Sequence, residues 1–162
     1  MAYSKTGSAG SPLYWGYKIP EKTEDLSIKE WFKTDFGGDD SDHSAAAEKL
    51  YDDYLKCLHG ELSKRFVLDG ILDKPWKDAN ISFAFSVPAC WDFHVVSRFK
   101  TLISRAGFEK VQGQLSGRGT HKITVAMTEP QATAAFELHT PDPVASLHVG
   151  IILVAFHEPT YC

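Results

Sequence analysis

Residues 81–128 carry the pattern that most restricts what this chain can fold into. "ISFAFSV" (81–87) places Ile81, Phe83, Phe85 and Val87 on one face at a period of two, the spacing of a strand. "PACWD" (88–92) reads as a turn. "FHVVSRFKTLISRAGF" (93–108) then changes to helical spacing, with Val95, Val96, Phe99, Leu102, Ile103 and Ala106 on one face. Gly107 stands where a left-handed helix stop belongs. "GQLSGRGTH" (113–121) is a glycine-bearing loop, and "KITVAMT" (122–128) returns to period two. "PQATAAFELH" (130–139) opens with a proline suited to a helix start, and "LHVGIILVAF" (147–156) reads as a closing strand. Strand, helix, strand, helix, strand predicts an α/β unit with parallel neighbouring strands and right-handed crossovers. Ligands of such a sheet sit beyond the carboxyl ends of its strands. Three segments are expected to converge there: Pro88–Asp92, Thr128–Gln131 and His157–Cys162.

The first half predicts an additional strand and helix layer. Residues 1–12 read as a flexible tail, and 13–162 as one α/β domain. "LYWGYKI" (13–19) suits a strand that Pro20 ends, since proline gives no donor to a ladder. "SIKEWFKT" (27–34) suits a short helix capped by Ser27 with Glu30 three residues on. "DFGGDDSDHS" (35–44) gathers Asp39, Asp40, Asp42 and His43, which are metal-ligand types, but the spacing fits no calcium loop. A solvated linker with no metal is the expectation. "SAAAEKLYDDYLKCLHGELSKRF" (44–66) is the strongest helix, with Leu50, Tyr51, Tyr54, Leu55, Leu58, Leu62 and Phe66 on one face. Its Gly60 costs roughly 1 kcal/mol against alanine and suggests a bend or a close contact.

Charge and cysteine usage exclude several classes. The net charge is −4 and no Lys/Arg run exceeds two residues, which argues against nucleic-acid binding by phosphate neutralisation. Cys57, Cys90 and Cys162 form no CxxC, so free thiols in a reducing compartment are expected. No apolar run approaches the ~20 residues that span a bilayer, and the polar N-terminus has no signal-peptide core. A cytoplasmic protein without membrane contact follows as the expectation.

Three blocks then carry a family likeness. "FAFSVPACW" resembles the strand and V-P-A-x-[YFW] turn of the Hsp70 family. "LISRAGF" is similar to its helix end, and "VAMTEPQATAAF" to its strand followed by [NT]-E-P-x-A-A-A. "YWGYKIP" and "EWFK" in the first half resemble segments of the divergent Hsp70-like proteins of filamentous fungi. The likeness covers about residues 13–156. It implies part of an actin-like ATPase fold, with Pro88 as a hinge, Glu129 near the phosphate edge, and Arg98 or Lys100 in the place of a switch residue. The family's next strand reads like ILVxDxGGGT, whereas "GIILVAFHEPTYC" departs after Val154, with Glu158 and Pro159 among the replacements for its glycines. No D-x-G-T loop occurs in residues 1–14. The resemblance thus implies a truncated chaperone-family chain unable to hold ATP and magnesium unless the phosphate loops come from elsewhere.

Two other readings stay open. One is a frame turned to small-molecule chemistry, with Glu129, His157 and His94 as acid–base candidates, joined by Glu158, and with Trp91 and Phe93 lining a pocket. Core packing is the alternative for those two rings. The other is an interaction module that self-associates or docks on an Hsp70-like partner through an uncovered edge.

Overall fold

A computed structural model describes residues 1–6, 10–22, 24–30, 32–37, 41–109, 119–132, 134 and 154–156. The chain divides into two compact units, Met1–Lys64 and Arg65–Cys162, where the sequence suggests one domain after a tail. The class is mixed α/β, with helices and, among the described residues, two small sheets.

In the first unit, strand β1 (Ala2–Ser4) pairs antiparallel with β2 (Leu26–Ile28), Ala2 opposite Ile28. The expected tail is therefore partly a strand, and Met1 and Ala2 are buried. Small, polar composition predicts a loose end only when nothing tethers it. Here the Met1 and Lys29 backbones bond each other, and Ala2 also pairs with Tyr14. "LYWGYKI" is not a strand: past the Tyr14 bridge it winds into a short 3-10 turn, Gly16–Lys18, with Gly16 at φ 55°. The tight turn needs that left-handed glycine, which the aromatic alternation concealed. Ser27 lies within β2, so it caps nothing; helix α1 is Phe32–Phe36.

Helix α2 (Ser41–Leu68) begins inside the expected linker. Within the first unit its buried stripe is Ser44, Ala47, Tyr51 and Leu55, every third or fourth residue. Tyr51 meets Phe32 and Phe36 edge-on at 5.0 and 4.9 Å, and Tyr54 meets Trp15 at 5.9 Å. Lys49–Asp53 and Asp52–Lys56 are helix pairs four residues apart, each worth a few tenths of a kcal/mol. A side chain at Gly60 would meet nothing within 4 Å, so close contact is not why the glycine is there.

In the second unit, β3 (Ile81–Val87) and β4 (His121–Thr128) run parallel in register, from Ile81 opposite His121 to Val87 opposite Thr128. A bulge skips Ala126. Helix α3 (Phe93–Ile103) connects them and buries Phe99, Leu102 and Ile103. It opens into a wider turn at Ser104–Phe108, where Gly107 reaches φ 100°, the left-handed stop expected there. Phe83, Phe85, Phe99 and Phe108 are all but fully buried and pack edge-to-face at 5.0–6.1 Å.

The closing strand corrects the expected topology. β5 (Val154–Phe156) pairs with β3 antiparallel, Ser82 opposite Phe156 and Ala84 opposite Val154. The sheet order is β4-β3-β5. A continuous apolar run reports burial and is the same whichever way the strand points, so the pattern could not fix direction.

Candidate functional site

The carboxyl ends of β3 and β4 form the edge that the parallel pair predicts. Val87 sits opposite Thr128, which brings Pro88 and Glu129, the next residue on each strand, to one side of the sheet. Each strand is followed by a helix start, and side chains close both. Asp92 Oδ1 accepts the Val95 N–H at 2.9 Å and caps α3. Gln131 Oε1 accepts the Thr128 N–H at 2.8 Å and the Thr128 hydroxyl lies at 3.2 Å from it. Thr128-Glu129-Pro130-Gln131 therefore works as the back-reaching half of a capping box at the helical turn 129–132. Half-buried Glu129 occupies the first helical position, where a carboxylate complements the helix dipole.

The remaining candidates disperse. His94 is exposed, with its ring beside Phe93 at 6.0 Å. Phe93 is 81 % exposed. Trp91 instead packs on Phe99 at 5.3 Å, the core use. Arg98 is half-buried on α3, and Lys100 is exposed beside Thr101 and Ser104 in a shallow open depression. His157 and Glu158 lie outside the described residues. The strand before them, β5, sets Phe156 opposite Ser82, at the amino end of β3. The expected meeting of Pro88, Glu129 and the segment after 156 rests on parallel neighbours, and β5 is antiparallel. Asp39 and Asp40 also lie outside the described residues. No cluster of metal ligands occurs among the described residues.

At the opposite end of β3 the backbone is drawn unusually close. Gly119 N–H donates to the Lys77 carbonyl at 3.2 Å, and Ile81 N–H to that of Thr120 at 2.9 Å. Asn80 Oδ1 accepts from both the amide and the hydroxyl of Thr120, at 3.0 and 3.1 Å. His121 is buried with its Nε2 3.1 Å from the Trp76 carbonyl. A carbonyl only accepts, so that nitrogen carries the proton, and this histidine is a structural link.

The first unit holds a cleft and a polar network that the sequence did not single out. Tyr3 Oη donates to Asp53 at 2.9 Å, and Lys49 Nζ meets the same carboxylate oxygen at 2.8 Å while lying 5.5 Å from the Tyr3 ring centre. The Lys49–Asp53 spacing was legible; Tyr3 is fifty residues from Asp53, and only the β1 pairing brings it there. Burial first, then the hydrogen bond and charge of Asp53, push the Tyr3 hydroxyl above its ordinary range. Tyr3 is accordingly a proton-holding donor and no base. Burial likewise raises Tyr54 and, with help from Asp53, the Cys57 thiol. Because the folded value of Tyr3 exceeds the unfolded one, its contribution is intact below about pH 10 and is lost as pH climbs beyond. In a spectrophotometric alkaline titration, Tyr3 should ionise above the ordinary tyrosine range, and Tyr3→Phe should remove that late step. A Tyr3→Phe curve that loses an early step instead would contradict the network.

The chain matches no known protein family, no curated protein and no solved structure. No helix among the described residues is long and apolar enough to cross a membrane.

Proposed function

We propose that Arg65–Cys162 is part of an Hsp70-type, actin-like lobe, and that this 162-residue chain neither binds nor hydrolyses ATP by itself. The supporting observation is the Val87–Thr128 pairing, which sets V-P-A-C-W and T-E-P-Q-A side by side at one parallel edge. Strand β3, the α3 crossover and strand β4 follow one another as the resemblance requires. The antiparallel β5 departs from the parallel neighbours that the resemblance calls for.

The incapacity follows from what a phosphate chain needs. Main-chain N–H groups must approach it closely, and glycines permit that approach. At this edge the capping side chains of Asp92 and Gln131 already engage amides, and the Asp92 carboxylate repels an anion at the α3 start. The glycine loop of the resemblance would follow β5, where this sequence reads Phe156-His157-Glu158-Pro159. Proline supplies no N–H, and glutamate opposes phosphate.

Isothermal titration of the chain with magnesium–ATP should give no binding heat at millimolar nucleotide. Saturable, magnesium-dependent binding with a Kd near or below about 10 μM, roughly −7 kcal/mol, would overturn the proposal.

A further inference from the structure

The first unit contains a cleft of about 690 Å³ that the function proposed above does not use. Its size falls within the roughly 300–1,000 Å³ of small-molecule sites. Buried Ala47, half-buried Leu50 and the Tyr3 side chain give it an apolar side, while Lys29, Glu30 and Asp35 are charged groups on its wall. Lys49, which also lines it, is committed to Asp53 and the Tyr3 ring. Among the described residues, the ammonium of Lys29 and the carboxylate of Asp35 make no ion pair with another side chain, and the Glu30 carboxylate acts on the Met1 ammonium without an ion pair to a side chain.

We infer that this cleft binds a small zwitterion with an apolar body, of the size of a peptide of two or three residues with both ends free. Lys29 would receive the carboxylate, and Glu30 and Asp35 the ammonium. Opposite charges on one cavity wall suit a ligand that carries both signs, because a singly charged ligand leaves one set opposed or unused. The apolar side covers the ligand body, and the volume is too large for a single amino acid to fill. This inference is independent of the ATP proposal, since every residue named belongs to Met1–Lys64.

The test uses the full chain, isotope-labelled, with the dipeptide Leu-Leu as probe and amide shifts as the readout. Leu-Leu should shift Tyr3 and Leu50 with saturation. Its C-terminal amide, its N-acetyl form and the Lys29→Ala variant should each bind at least tenfold more weakly. Lys29 is exposed, so the variant should keep the tyrosine titration of the parent, which serves as the folding control. No saturable shift up to 10 mM Leu-Leu, about −3 kcal/mol, would overturn the inference. So would binding of the blocked probes, or of Leu-Leu to Lys29→Ala, at undiminished strength.

Discussion

Gly119→Ala should cost about 3 kcal/mol of stability in Arg65–Cys162, at the upper end of overpacking penalties, or abolish its cooperative unfolding. The added Cβ would lie 2.1 Å from the Ala79 carbonyl oxygen and 2.7 Å from the Ala79 carbon and nitrogen. These are backbone atoms of a fully buried residue, so no side chain can swing aside. Relief requires separating the two segments, which breaks the Gly119–Lys77, Ile81–Thr120 and Asn80–Thr120 hydrogen bonds together. The glycine is thus required by approach distance. Urea unfolding followed by tryptophan fluorescence reads the effect directly. A variant with the parental midpoint and slope would show that the segments do not meet as described.

Phe83→Ala should cost about 3–5 kcal/mol, the range for emptying a large aromatic site. Phe83 is fully buried at the centre of the sheet. Its ring contacts Trp76 at 5.8 Å, Phe108 at 5.0 Å and His121 at 5.9 Å. Truncation leaves three aromatic neighbours facing a void that they cannot fill without leaving their rotamers. Phe93→Ala is the matched control. Both residues are phenylalanines ten positions apart, yet Phe93 is 81 % exposed, and its loss should stay within about 0.5 kcal/mol. Equal losses at the two positions, measured by the same denaturation, would contradict the assigned core.

The contrast between these phenylalanines shows what the sequence could and could not reveal. The period-two run from Ile81 to Val87 marks β3 to the residue, because alternate burial is local chemistry repeated along a strand. The α3 helix and its Gly107 stop were legible for the same reason. Strand direction was not: Val154–Phe156 looks alike forwards and backwards, and only its partner register with Ser82–Ala84 decides. The β1–β2 pair escaped notice because three-residue strands are too short to show a period. At the candidate edge, Pro88 and Glu129 were foreseeable from parallel strand ends. The Tyr3–Asp53 contact was not, being created by chain return alone. Even the T-E-P-Q block has a local use: Gln131 reaches back to the Thr128 amide and starts a helix.

The central claim is that β3 and β4 run parallel and end together, so that Pro88 and Glu129 share one edge. Interstrand proton contacts in the isotope-labelled chain test it most directly. Parallel register predicts backbone cross-peaks from Ile81 to His121, and from Val87 to Thr128. Cross-peaks joining Thr128 to the Ile81 end of β3 instead would reverse the strand, part Pro88 from Glu129, and contradict the account.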